Sequence, residues 1–318
     1  MNILIHYPFE PEQIEAFRRL AREFGGHQVH HVGSDEEALP LAPEAEVLLG
    51  QFTPPVCAVA PKLRWIQSHS AGLDSFLFPE IVEREEVTIT NMAGLYAPQG
   101  AEQAWALLLA LARGIDLSVR GQERREWTEG RGIVLARSTL GIIGLGGFGM
   151  EIAERARGYE MTILAVDSVR QDKPDDVAEL RPATRENLHS LLRRSDAVMI
   201  ACPRTRETYH LIGAEEFAAM KDSAYLVNVT RGGIIDELAL LHALTNNQIA
   251  GAGLDVCERE PLPPEDPLWD APNLIVTAHH AGSSQHRPRV VFEFFLENLE
   301  RYLKGEKLVN LVGKKRGF

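Results

Sequence analysis

The sequence predicts an α/β chain folded as two units, each a parallel sheet flanked by helices. Short apolar runs ended by Gly, Pro or Asn alternate with helix-spaced segments along nearly the whole chain. The rhythm falls into two blocks, one before about residue 98 and a more regular one from 139 to 277. Length agrees, since 318 residues is roughly two domains of chain.

In the first block, residues 2–7 read as a strand. Pro11 to Glu23 then reads as a helix carrying Ile14, Phe17, Leu20 and Phe24 on one face. Residues 46–50, 63–68 and 87–90 are further strands. Pro98 opens a long helix over 98–119, apolar on nearly every side, which must be covered all round. A second subunit and an ordinary buried linking helix explain that equally well. In the second block, strands are expected at 140–144, 162–166, 197–201, 225–229, 251–256 and 274–277. Val290, Val291, Phe294, Leu296, Leu299 and Leu303 then mark a closing amphipathic helix from Arg289. The division expected is 1–98 with 289–318 as one domain and 99–288 as the other.

Composition narrows the partners. The formal charge of −12 with dispersed basic residues argues against nucleic acid, which is held by clustered Lys and Arg. The basic tail Lys314-Lys315-Arg316 reads as a solvated end. The longest apolar stretch, Ala104 to Ala112, is far short of the ~20 residues of a membrane span. Cys57, Cys202 and Cys257 are too few and scattered for a disulfide framework or a thiolate metal site, and the N-terminal run lacks signal-peptide flanks. A reducing, cytoplasmic setting and no metal are therefore expected.

The strongest local signal is Gly144-Leu145-Gly146-Gly147-Phe148-Gly149, directly after the apolar run Leu140-Gly141-Ile142-Ile143. Gly144 permits a tight turn, Gly146 lets backbone approach a pyrophosphate, and Gly149 allows close helix–strand packing. The helix that follows, from about Phe148, aims its open N–H groups and positive dipole end at phosphates. Asp167, 18 residues after Gly149 at the end of the next strand, stands where a ribose-binding carboxylate belongs. These features together predict a doubly wound (Rossmann) dinucleotide-binding sheet. A carboxylate accepts hydrogen bonds from a ribose 2′-hydroxyl and repels a 2′-phosphate, so NAD is favoured over NADP, although Arg170, three residues on, could receive a phosphate. Three later segments, NVTRGG at 228–233, GLDVCEREP at 253–261 and TAHHAG at 277–282, bring Arg231, Glu260 and His279 to three successive strand ends. Ligands of such sheets lie outside those ends, so the three can meet at one cleft.

With these segments in order, and with SAGLD at 70–74, TNMAG at 90–94, AEQ at 101–103 and CPRT at 202–205, the chain resembles the D-isomer-specific 2-hydroxyacid dehydrogenase family over nearly its whole length. The resemblance implies a smaller, flavodoxin-like substrate domain beside the dinucleotide domain, and a homodimer. It implies that Arg231, Glu260 and His279 are catalytic, and that substrate is bound by Arg231, His279 and the backbone N–H groups of Ala71 and Gly72, the last two meeting its carboxylate. It gives Asp255 to the nicotinamide carboxamide with Thr230 and Arg231 nearby, and Cys202, Pro203 and Thr208 to the adenosine end. His279 is chosen over His280 because His280 fills the variable place after the family's histidine. Two departures stand out. Ala278 replaces a common proline, which predicts a less rigid loop, and Gln103 replaces a frequent histidine.

The reaction implied is hydride transfer between NAD(H) and a small 2-keto or 2-hydroxy acid of the glyoxylate, hydroxypyruvate or pyruvate kind. Histidine titrates near neutrality and suits the proton transfer. Arginine presents a fixed fork of donors to a carboxylate and a polarised carbonyl oxygen. Formate dehydrogenases share the architecture but carry glutamine in place of the acidic partner, so Glu260 argues against that reading. A nucleotide-sensing corepressor or scaffold of the same fold can retain the triad and stays open.

Overall fold

The computed structural model describes residues 1–74, 76–130 and 132–317. The chain divides into two compact units, Met1–Leu95 with Ser284–Phe318, and Tyr96–Ser283. Among the described residues no helix is long and apolar enough to cross a membrane.

The first unit holds strands β1 (Asn2–His6), β2 (Gln28–His31), β3 (Ala45–Gly50), β4 (Trp65–Ser68) and β5 (Thr88–Thr90), all parallel, in the order β2-β1-β3-β4-β5. The central strands carry buried apolar runs, Ile3, Leu4 and Ile5 and then Val47, Leu48 and Leu49, because both faces of the sheet are covered. The Pro11–Glu23 helix starts with proline in its first turn, where no N–H is needed, and buries Ile14, Phe17 and Ala21. Leu20 and Phe24 are only half-buried. The closing helix, Arg287–Lys304, begins earlier than its apolar face suggests because Pro288 is tolerated at its start. Its Phe292 meets Phe9 and Phe17, its Phe295 meets Phe9, and Tyr302 stacks on Trp65 at 4.9 Å. Its buried Asn298 donates to Gln67 Oε1 (2.8 Å) and the Val309 carbonyl (3.1 Å), so this polar core group is satisfied.

The second unit is a seven-stranded parallel sheet of β6 (Thr139–Ile143), β7 (Thr162–Asp167), β8 (Glu179–Pro182), β9 (Ala197–Ile200), β10 (Tyr225–Asn228), β11 (Gly251–Leu254) and β12 (Leu274–Val276). Its order, β12-β11-β10-β9-β6-β7-β8, reverses direction at β6, and the crevice outside the carboxyl ends of β6 and β9 is the switch point. Alternate residues of each strand feed two cores. Leu140, Ile142, Met199 and Val227 lie in one, Ile143, Val198, Ile200 and Leu226 in the other.

Three expectations are corrected. The second sheet has seven strands rather than six, and β2 joins the first sheet. Both unforeseen strands, QVHH and ELRP, are short, polar edge strands, so no apolar run marks them. The single helix over 98–119 is two helices, Ala97–Ala112 and Ile115–Arg124, because Gly114 takes the left-handed conformation (φ 61°) and ends the first. Most of the apolar residues of the first are covered within its own unit, and Ala106, Leu109 and Ala110 stay exposed or half-buried. Ala101, Ala104, Trp105, Leu108 and Leu111 are buried in the core that contains Leu140, Ile142, Ile152 and Val227.

Candidate active site

The glycine turn leaves β6 as expected. Gly144 sits at φ 94°, and a Cβ there would come within 2.7 Å of the Cys202 backbone nitrogen, so the turn demands glycine. A Cβ on Gly149 would lie 2.1 Å from the Gly144 carbonyl oxygen, which is the close helix–strand packing the motif needs. Gly146 is different, since a Cβ there would meet nothing within 4 Å. It precedes the Gly147–Ala156 helix, whose N-terminus has no side-chain cap. Open space in front of uncapped helix N–H groups fits a dinucleotide pyrophosphate. Phe148 packs inward, half-buried, against the core below.

Asp167 ends β7 and folds back on the turn. Its Oδ2 accepts the Leu145 N–H (2.6 Å), and its Oδ1 accepts those of Val169 and Arg170 (2.7 Å each). Three of about four acceptor positions on the carboxylate are thus occupied, and the group is held rigidly beside the glycine turn. The Arg170 guanidinium lies 3.6 Å from Asp172. Beyond β9, Thr208 donates its hydroxyl to the Pro203 carbonyl (2.8 Å) and accepts the Thr205 N–H (2.7 Å), closing a compact loop. Burial pushes the Cys202 thiol up to about 12, so it is a small packed group and not a nucleophile. Cys57 and Cys257 are raised to about 12 for the same reason.

At the other side of the switch point, Asn228 organises the loop after β10. Its side-chain oxygen accepts from the Thr230 N–H and hydroxyl (3.1 Å each), and its amide donates to the Arg231 carbonyl (2.8 Å). The Arg231 guanidinium donates to the Thr230 carbonyl (2.8 Å). At Gly232 a Cβ would lie 1.8 Å from the Cys257 carbonyl oxygen, so the Arg231 loop rests directly on the backbone of the Glu260 loop. Glu260 Oε1 accepts the Cys257 N–H (3.0 Å), and its Oε2 lies 2.6 Å from His279 Nδ1. With Nδ1–H donated to the carboxylate, Nε2 is left for another proton partner. His279 itself has φ 47°, a left-handed conformation that costs a non-glycine residue roughly 1–2 kcal/mol. Its N–H bonds to the Asp255 carbonyl (2.7 Å) and the Thr277 carbonyl (3.1 Å).

Asp255 is fully buried. Its carboxylate accepts the Thr277 hydroxyl (2.5 Å) and the N–H groups of His280 (3.2 Å) and Ala281 (2.8 Å), so it fastens the turn that carries both histidines. The sequence placed Asp255 at the cofactor and left this anchoring unread, as it did the carboxylate of Glu237, which accepts the Glu258 N–H (2.6 Å) from behind the Glu260 loop. Burial, and then the charges of Glu258, Asp266 and Glu260, raise the Glu237 carboxyl above its ordinary range. In the first unit, Asn91 donates to the Ala71 carbonyl and Ser70 to that of Gly72 (2.7 Å each), which fixes both peptide groups after β4.

A glycine turn facing open space, an acidic residue closing the second strand and a paired carboxylate and imidazole at later strand ends define a nicotinamide-dinucleotide dehydrogenase. Residues 105–281 match the model of the D-isomer specific 2-hydroxyacid dehydrogenase, NAD binding domain. The chain is 36% identical to a glyoxylate reductase of Korarchaeum cryptofilum over 85% of its own length and 83% of the relative's. It is 35% identical to glyoxylate/hydroxypyruvate reductase B of Escherichia coli over 97% of each chain. Among solved structures, a D-isomer specific 2-hydroxyacid dehydrogenase from Xanthobacter autotrophicus, in complex with NADPH and MES, superimposes with a TM-score of 0.81 at 27% identity over 99% of both chains. The chain belongs to the D-isomer-specific 2-hydroxyacid dehydrogenase family. It is an NAD(P)-dependent oxidoreductase acting on CH–OH donors.

Proposed function

We propose that the protein reduces a small 2-keto acid of the glyoxylate and hydroxypyruvate kind to its D-2-hydroxy acid, with NADH preferred over NADPH. The observation that carries this is the 2.6 Å pair between His279 Nδ1 and Glu260 Oε2, an oriented acid whose free nitrogen is available to a substrate oxygen. Bound cofactor supplies the hydride to the carbonyl carbon. His279 Nε2 delivers the proton to the carbonyl oxygen, and Glu260 stabilises the imidazolium and holds the ring orientation. Arg231 binds the substrate carboxylate and polarises the carbonyl, and the Ala71 and Gly72 N–H groups are assigned to the carboxylate. Gly144, Gly146, Gly147, Phe148 and Gly149 receive the pyrophosphate, and Asp167 the adenosine ribose. Thr230 and Asp255 lie toward the nicotinamide, and Cys202, Pro203 and Thr208 toward the adenosine end. Asp167 supports the NADH preference, because its charge opposes a 2′-phosphate.

We further propose a cytoplasmic homodimer. Free cysteines support the compartment. For the dimer, the support is a run of large apolar side chains between 115 and 134, with Ile115, Val119 and Val134 exposed and Trp127 98% exposed. Turnover of glyoxylate, hydroxypyruvate and pyruvate with NADH and with NADPH tests the reading. No reduction of any of the three with either cofactor would reject it, and faster turnover with NADPH at low cofactor concentration would reject the preference.

A further inference from the structure

We propose that Gln103 and Thr277 are positioning residues for His279, acting in series through the buried carboxylate of Asp255. The inference rests on the acid–base role proposed for His279. Gln103 lies on the Ala97–Ala112 helix, and its Nε2 donates to Thr277 Oγ1 (3.0 Å). The Thr277 hydroxyl has one proton, and that proton is committed to Asp255 Oδ1 at 2.5 Å. Toward Gln103 it therefore presents only lone pairs, and the side chain facing it must be a donor. Direction along the chain is fixed, from Gln103 to Thr277 to Asp255.

The far end of this chain is the histidine turn. Asp255 Oδ1 also takes the His280 N–H and Oδ2 the Ala281 N–H, so the carboxylate orientation sets the two peptide groups that follow His279. His279 stands at φ 47°, where a residue with a side chain persists only if its surroundings hold it. The first anchor is equally firm. Around Gln103, Ala101, Ala104, Leu107 and Leu108 are buried, so the helix cannot shift to follow the turn. A fully buried carboxylate that loses its hydroxyl donor must find another or rotate, and rotation releases the turn.

The test uses the whole protein, glyoxylate as the probe substrate, and the variants Thr277→Val, Thr277→Ser, Gln103→Met, the Thr277→Val/Gln103→Met double and His279→Ala. Thr277→Val keeps shape and removes the hydroxyl. It should lower kcat about tenfold, with glyoxylate KM within about twofold and any rise in NADH Kd, which Asp255 also transmits, smaller than the loss in kcat. Thr277→Ser should remain within about twofold of the parent in kcat. Gln103→Met should lower kcat about three- to fivefold alone and add nothing in the double variant, because its effect passes through Thr277. Multiplying losses, an unchanged kcat in Thr277→Val, or a loss confined to NADH Kd would overturn the inference. Should Thr277→Val not fold, Gln103→Met with unaltered kcat overturns it equally. His279→Ala separates the two levels. Residual full turnover there rejects the acid–base reading itself, whereas loss there with normal Thr277 and Gln103 variants rejects only the positioning chain.

Discussion

Replacing His279 with alanine removes the ring that pairs with Glu260 and leaves the rest of the strand-end constellation in place. Loss of a positioned acid typically costs about 10²–10⁴-fold in rate, or about 3–5 kcal/mol of barrier. Here the ring is 45% exposed and its carboxylate partner 37% exposed, so water can reach the carbonyl oxygen and partly replace the proton donor. The lower half of the range follows, a fall in kcat of about 10²–10³-fold, with NADH affinity unchanged because no cofactor contact is lost. His280 provides the internal control. Among the described residues its ring makes no hydrogen bond, and its N–H to Asp255 survives substitution, so His280→Ala should keep kcat within about threefold. A second control, His279→Asn, tolerates positive φ better than alanine and should lose as much activity, which separates chemistry from backbone strain. Steady-state oxidation of NADH with glyoxylate, together with NADH binding by fluorescence, measures all three. Equal losses at the two histidines, or a His279→Asn variant near parental activity, would refute the assignment.

Asp167→Ala should weaken NADH binding and narrow the gap to NADPH, read from the ratio of kcat/KM for the two cofactors; an unchanged ratio would remove Asp167 from cofactor selection. Glu237 holds its proton more tightly folded than unfolded, so its charge lowers stability as pH rises from the ordinary 4.5 through the raised folded-state value. Glu237→Gln keeps the acceptor for the Glu258 N–H and cannot ionise, so its melting temperature should exceed the parent's at pH 7 and the difference should close below pH 4.5, a trend that thermal scans across pH check directly. Light scattering should report a dimer at micromolar concentration, and Trp127→Glu should shift it toward monomer if the exposed 115–134 segment is the contact; a parental monomer would reject the dimer.

Much of this fold was legible because burial leaves a mark in the sequence. Strands covered on both faces, such as β3 with Val47–Leu49 and β10 with Tyr225–Val227, read as short apolar runs ended by Gly50 and Asn228. Edge strands β2 and β8 carry no such run, since pairing on one side alone stabilises them, and both were missed. The break at Gly114 was hidden for a related reason. Apolar periodicity continues across it through Ile115 and Val119, and only the left-handed glycine shows that two helices meet there. At the site, the nearness of His279 and Glu260 was expected from their place at successive strand ends together with the family resemblance. Its supports, Asp255, Thr277, Glu237 and the backbone contact at Gly232, were not, because a buried carboxylate binding its own chain leaves no periodic or compositional trace.

Ala278 shows how the same physics redistributes within one loop. A proline before His279 would limit the loop through its own ring, and its absence predicts a looser turn. The loop is instead held by hydrogen bonds. The His279 N–H goes to two carbonyls, and the next two N–H groups go to a carboxylate that is itself buried and fixed by Thr277. Constraint moves from a covalent ring at one position to a network spread over β11, the turn after β12 and the Ala97–Ala112 helix. A proline ring acts alone, whereas each member of this network depends on the others, so small changes at residues remote from the chemistry reach His279 through Asp255.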